Sequence, residues 1–174
     1  MKNIVKVYKC TICEEGYIVD DKPTHCPFCG AHDNYLVIVD KYAVKDVGKL
    51  SDISKKNLET SLEVEISNAE FYFCAAKKAK NVTDSTMFKR LAKVEAEHAS
   101  TIAKMLKVTN PEISRDKDIC SVEDNFKESH EREDNAIRRY AQFMSEASEP
   151  KVIMLFKALV EIEKDHLSLS EGRF

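Results

Sequence analysis

The sequence predicts two units, a small metal-bound β-rich domain at the N-terminus and an all-α four-helix bundle with one long crossover. Three observations predict it. Two Cys-x2-Cys knuckles stand within the first thirty residues, apolar residues recur at helical spacing from residue 51 onward, and one pattern of helix residues is written twice, 68 positions apart. Such an offset marks an internal repeat.

Composition sets the outer limits. The chain has 174 residues, of which 43% are hydrophobic and 33% charged, a formal net charge of −3, and only four Gly and four Pro. That length suits one or two small domains. The mild acidity argues against a nucleic-acid surface, and no basic run or apolar stretch of membrane-spanning length occurs. The N-terminal MKNIVKVYKC lacks the apolar core and cleavage site of a signal peptide. A cytoplasmic location is therefore expected, with the six cysteines as thiols or metal ligands rather than a disulfide framework.

The first unit is expected over residues 1–42. Cys10 and Cys13 form one knuckle, Cys26 and Cys29 the other, with twelve residues between them. The short runs Val5 to Tyr8 and Tyr35 to Val39 alternate as strands do. So few residues cannot bury enough apolar surface alone, so a metal held by four thiolates should supply much of the folding free energy. Iron and zinc both suit four thiolates, and on the knuckles alone a structural zinc ribbon stands beside an iron centre.

A linker over 43–50 leads into the helical unit, 51–174. Ser51 or Ser54 can cap a first helix, whose stripe runs through Leu58, Leu62, Glu65, Ala69, Tyr72, Ala76 and Ala79. The short link Asn81 to Thr86 makes the second helix an antiparallel neighbour. That helix places Phe88, Leu91, Ile102 and Met105 on one stripe. Between Val108 and Cys120 the helical pattern stops. Those thirteen residues can reach ~43 Å when extended, against ~33 Å for a helix of roughly 22 residues, so they can run the length of a bundle. Ser121 with Asp124 opens a third helix, with Phe126, Glu133, Ile137, Tyr140, Met144 and Ala147 inward. Pro150 opens a fourth, with Val152, Phe156, Leu159, Glu163 and His166 inward.

Several of these inward positions are ionisable, which a plain core excludes, because an unpaired buried carboxylate costs several kcal/mol. Glu95 and His98, at i and i+3, lie on one helix face and can reach a single metal ion. Alone, a Glu-x2-His is more often solvated than ligating. Here Phe88, Leu91, Glu95 and His98 return as Phe156, Leu159, Glu163 and His166, and Glu65 and Tyr72 return as Glu133 and Tyr140, all at the same offset. Four inward carboxylates and two histidines in such a repeat predict a metal centre.

Tyr8 and the ending Cys26-Pro27-Phe28-Cys29-Gly30-Ala31 resemble rubredoxin, except that Glu14 stands where rubredoxins have Gly, a change expected to alter the turn. The helical unit is similar to ferritin-like carboxylate proteins, in which two helices each give a Glu and two each give a Glu-x2-His. Together they resemble the rubrerythrin family in its reversed-order branch, with a rubredoxin-like domain first. The resemblance implies one rubredoxin-type iron in the four cysteines and one non-haem di-iron centre. Glu95 and Glu163 would bridge its irons, Glu65 and His98 would serve one iron, Glu133 and His166 the other, and Tyr72 and Tyr140 would hydrogen-bond ligand carboxylates. It also implies a peroxidase that reduces hydrogen peroxide to water in oxidative-stress defence. Electrons would come from a rubredoxin or an NADH-dependent reductase, often across a head-to-tail homodimer. Ordinary members carry a further Glu where this chain has Ala136.

Two other functions fit parts of the pattern. An O2-reducing or ferroxidase protein would use the same ligands, and a zinc-ribbon adaptor with a partner-binding bundle would leave six inward polar residues unexplained. Outside the repeat, Cys74 and Cys120 are expected as plain thiols, His130 as a surface or core histidine, and Glu97 as a solvated residue. His25 and His32 lack partners at ligand spacing.

Overall fold

A computed structural model of the chain describes residues 5–44 and 46–174. The first four residues of the N-terminal unit and Lys45 of the linker lie outside the described residues. The N-terminal unit is a three-stranded antiparallel sheet of β1 (Lys6–Cys10), β2 (Gly16–Val19) and β3 (Leu36–Ile38), in the order β2-β1-β3. β2 adds a strand that the sequence pattern did not mark, and Tyr35 belongs to a 3-10 turn rather than to β3. The edge strand β2 alternates exposed and buried residues over only four positions, too few for a periodicity to register.

Four helices follow: α1 (Asp52–Lys78), α2 (Val82–Leu106), α3 (Asn125–Glu146) and α4 (Pro150–Ser170). Each start has a local cause. Ser51 Oγ accepts the Ser54 N–H, Asn81 Oδ1 accepts the Asp84 N–H at 2.8 Å, and Pro150 occupies the first turn of α4. Ser121 Oγ accepts the Asp124 N–H at 2.8 Å one residue ahead of α3. Glu149 joins two helix starts, its carboxylate accepting the Ser51 N–H and the Ser54 hydroxyl at 2.5 Å each. α2 ends at Lys107, whose left-handed backbone (φ 58°) stops the helix.

The pairs α1–α2 and α3–α4 are joined by a crossover over residues 107–124. It is fastened along α1: Lys117 meets Glu70 at 2.6 Å, Lys78 meets Asp118 and the carbonyl of Cys120, and Arg115 lies over the ring of Phe73. It is also covalently tied there, because Cys74 and Cys120 form a disulfide. This corrects the expectation of plain thiols. Cys74 faces away from the ligand stripe because it faces the crossover, and no spacing rule says which residue of a long loop will lie opposite a helix position.

One core cluster runs from the sheet into the bundle, taking Tyr8, Ile12 and Leu36 together with Val94, Ile102, Leu155 and Ile162. Val47 and Leu50 of the linker pack against it. A second cluster gathers Phe71, Tyr72, Phe88 and Leu91 under the crossover. The small sheet is thus seated on the bundle by shared apolar burial, and its knuckles are pinned at the rim. Arg90 donates to the carbonyls of Pro27 and Phe28, Lys104 meets Glu15 at 3.3 Å, and Lys151 meets Glu14 at 2.7 Å. No helix among the described residues is long and apolar enough to cross a membrane.

Candidate metal centres

Cys10, Cys13, Cys26 and Cys29 come together with their sulfurs within 4.8 Å of one another, all buried. The two knuckles have the same backbone. Glu14 N–H bonds the Cys10 carbonyl as Gly30 N–H bonds that of Cys26, both at 3.1 Å, and both residues are left-handed, at φ 67° and 79°. Glu14 therefore keeps the turn that Gly would make, and the expected alteration of the backbone does not occur. A non-glycine residue there costs roughly 1 kcal/mol. The Lys151 ammonium beside it holds the Glu14 carboxyl below the usual carboxylate range, outweighing the opposing effect of partial burial.

In the bundle, Glu65, Glu95, His98, Glu133, Glu163 and His166 form one buried cluster in two overlapping groups. Nδ1 of His98 lies 3.5 Å from Glu65 Oε2, 3.3 Å from Glu95 Oε2 and 3.6 Å from Glu163 Oε1. Nδ1 of His166 lies 3.0 Å from Glu95 Oε1, 2.8 Å from Glu163 Oε2 and 4.0 Å from Glu133 Oε1. Glu95 and Glu163 each turn one oxygen towards either imidazole, whereas Glu65 serves the His98 side and Glu133 the His166 side.

The tyrosines cross between helices. Tyr72 of α1 donates to Glu133 of α3 and exchanges a 2.9 Å hydrogen bond with Ser129, and Tyr140 of α3 donates to Glu65 of α1 at 2.5 Å. Burial, reinforced by the facing carboxylates, pushes both phenols well above their ordinary value, so they stay protonated as donors. Burial likewise raises Glu65 and Glu133. Against the opposing effect of burial, the carboxylates raise His98 and His166, and the imidazoles lower Glu95.

A pair of metal ions fits this donor set. Each of the four carboxylates, and Nδ1 of His166, has a buried atom without a hydrogen-bond partner, and the charge of two divalent cations equals that of the four carboxylates. Hard carboxylate oxygens with two imidazoles are an iron-compatible set, and four thiolates are another. The two clusters touch: Nε2 of His98 hydrogen-bonds the carbonyl of Cys29 at 2.8 Å. Above them Gly30 sits between α2 and α4. A Cβ there would lie 3.3 Å from Ile162 and 3.9 Å from Val94, so its lack of a side chain lets the knuckle approach.

Other positions depart from their sequence expectations. Glu97 is half-buried rather than solvated, with Oε1 lacking a partner and burial raising its carboxyl, because the cysteine unit covers this turn of α2. His25 and His32 do have partners: a β-bridge sets them opposite each other and both face Asp165 of α4. His130 joins neither cluster, bonding Ser170 at 3.2 Å beside the ring of Phe174. Ala136 is buried near Asn68, its counterpart in the repeat. Ser129, the further partner of Tyr72, was missed, and its counterpart Ser61, also buried at the same offset, is the signal that could have found it.

The comparisons agree with this architecture. The rubrerythrin family profile matches residues 56–171. Reverse rubrerythrin-1 of Clostridium acetobutylicum is 30% identical over 113 residues, covering 59% of this chain and 62% of that relative. The chain thus spans somewhat less than two thirds of the curated relative it matches. No solved structure matches it. With a four-cysteine sheet ahead of a ferritin-like bundle, the chain belongs to the rubrerythrin family, in its reversed domain order.

Proposed function

We propose that the protein is a non-haem di-iron peroxidase that reduces hydrogen peroxide to two waters with two electrons and two protons, refilled through a rubredoxin-type iron. The observation that carries this reading is the 2.8 Å hydrogen bond from His98 Nε2 to the Cys29 carbonyl, which joins a candidate one-electron carrier to a candidate two-metal site. Iron bound at the two clusters would supply the redox chemistry, two-electron reduction of the peroxide at the carboxylates and one-electron transfer at the thiolates. Cys10, Cys13, Cys26 and Cys29 would hold the single iron. A pair of irons would be held by Glu95 and Glu163 together, with Glu65 and His98 on one side and Glu133 and His166 on the other.

The protein's own part is orientation. Tyr72 and Tyr140 keep their protons and donate hydrogen bonds to Glu133 and Glu65, which holds the two carboxylates in place at the site. The Cys29 carbonyl fixes the tautomer of His98, leaving Nδ1 free to ligate. Electrons arrive from an external rubredoxin or NADH-dependent reductase, and the protein works as a homodimer.

The test is reoxidation of the reduced, iron-loaded protein by peroxide. Supplied with a continuing electron donor such as reduced rubredoxin, wild type should consume peroxide with multiple turnovers, and Glu163→Ala should abolish turnover while leaving the iron-thiolate absorption intact, since the lesion lies outside the knuckles. Unchanged turnover in that variant would refute the site. Zinc in the four cysteines of protein made in iron-replete cells would refute the relay and favour the adaptor reading. Faster reoxidation by O2 than by peroxide would favour the O2-reducing or ferroxidase reading.

A further inference from the structure

We propose a third metal site, for zinc, on the surface where the second knuckle meets α4, formed by His25, His32 and Asp165. Nε2 of His32 lies 2.7 Å and Nε2 of His25 3.4 Å from the same oxygen, Oδ2 of Asp165, and the three donor atoms lie within 4.8 Å of one another. Zinc bonds to imidazole and carboxylate of ~2.0 to 2.2 Å in a tetrahedron separate neighbouring donors by roughly 3.3 Å, within the range these atoms span.

The backbone builds the pair: His25 and His32 face each other across an isolated antiparallel bridge, with rings 4.8 Å apart and nearly perpendicular. A second observation points to ligation. Nδ1 of His25 is hydrogen-bonded to Thr24 Oγ1 at 2.9 Å, an outer partner of the kind that orients a ligating imidazole, and in the tautomer in which Nδ1 donates, the Nε2 lone pair is left for a cation. Two imidazoles and one carboxylate suit zinc better than magnesium or calcium, which take oxygen ligands. The side chains are 48%, 34% and 51% exposed, so the ion enters from solvent and water completes its coordination.

Its place gives it a consequence. His25 and His32 flank the knuckle of Cys26 and Cys29, and Asp165 stands between Glu163 and His166. An ion there staples the cysteine unit to α4, the helix that the Cys29–His98 hydrogen bond does not reach.

The experiment is calorimetric titration of the iron-loaded, full-length protein with zinc chloride, followed by desalting and metal analysis. Wild type should gain about one zinc per chain at this three-ligand site with its iron unchanged. His25→Ala/His32→Ala and Asp165→Asn should each lose that zinc, and Thr24→Val should bind it about tenfold more weakly. Amide exchange at residues 24–32 should slow on zinc addition in wild type alone. No uptake by wild type, equal uptake by Asp165→Asn, or zinc bound only by displacing iron would overturn the site. Because Asp165 lies on α4 outside the knuckles, its variant decides the matter even if the double histidine variant loses iron. None of these readouts depends on peroxide turnover.

Discussion

On the α1–α2 half of the bundle, the imidazole of His98 is bonded to the four-cysteine unit. On the α3–α4 half, His166 holds the same place in the repeat but hydrogen-bonds no atom of that unit among the described residues, and it is 7% exposed. Yet the unit sits symmetrically above both, with Gly30 against Val94 and Ile162, equivalent residues one position before Glu95 and Glu163. A single small domain placed over a twofold ligand set must choose. Its packing can be shared, because dispersion is non-directional, whereas the Cys29 carbonyl meets the imidazole of His98 and not that of His166. The duplicated helices thus make a symmetric cage, and the added domain gives it a direction.

The largest effect should come from what the two halves share. In the metal-free protein His98 and His166 are raised by the carboxylates, so the stability they contribute is full below the ordinary histidine value near 6.5 and is lost as pH rises through their folded values. Glu65 and Glu133, raised by burial, act in the same sense from about pH 4.5 upward. Glu95, lowered, is ionised in both states above that pH and adds no slope. Metal-free protein should therefore lose thermal stability as pH rises from about 5 through neutrality, whereas iron-loaded protein, whose ligands must be deprotonated, should gain it. Melting curves of both forms by circular dichroism check this. Parallel pH profiles would show that the cluster is not where the metal binds.

The next effect belongs to one half alone. Cys74 is tied to Cys120, while its counterpart in the repeat, Gln142, is exposed and hydrogen-bonds Glu146 of its own helix. Closing a loop of 46 residues is worth up to about 4 kcal/mol in chain entropy. Replacing both cysteines by Ser should cost about 2 to 4 kcal/mol in chemical denaturation and raise amide exchange first in the crossover beside Tyr72. A loss no larger than that of a surface substitution would place the stability of this half in its packing alone.

Gly30→Ala tests the shared seat. A side chain at φ 79° and 3.3 Å from Ile162 should cost roughly 1 to 3 kcal/mol and lift the Cys29 carbonyl off His98. On the proposed function, slower electron transfer from an iron in the thiolates, with peroxide binding unchanged, is the expected kinetic result in stopped-flow absorption.

Much of this was legible in the chain because it is periodic. Four helices, their antiparallel pairing, the crossover and the six inward polar residues all follow from helical spacing and the offset of 68, and the knuckles follow from Cys-x2-Cys. What escaped lies between elements. The Cys74–Cys120 pairing, the burial of Glu97 and the meeting of His25 and His32 with Asp165 depend on where a loop or a small domain comes to rest, and no local period encodes that. The Cys29–His98 contact is of the same kind, since a backbone carbonyl leaves no mark in the sequence.

The smallest difference separates the two tyrosines. Tyr72 has Ser129 as a second partner at 2.9 Å, whereas Ser61, the counterpart of Ser129, donates instead to the carbonyl of Asn57 one turn back in its own helix at 2.8 Å. A hydroxyl bonded to its own helix contributes little, because that carbonyl already accepts a helical hydrogen bond. A hydroxyl that fixes a buried phenol between helices is worth about 1 kcal/mol. Ser129→Ala should therefore destabilise the protein by about 1 kcal/mol, and Ser61→Ala by clearly less. Denaturant titrations of the two variants, each buried and each losing the same atom, compare them directly. Equal losses would mean that the halves differ only in their contact with the cysteine unit, and that the tyrosine on each side is held by its carboxylate alone.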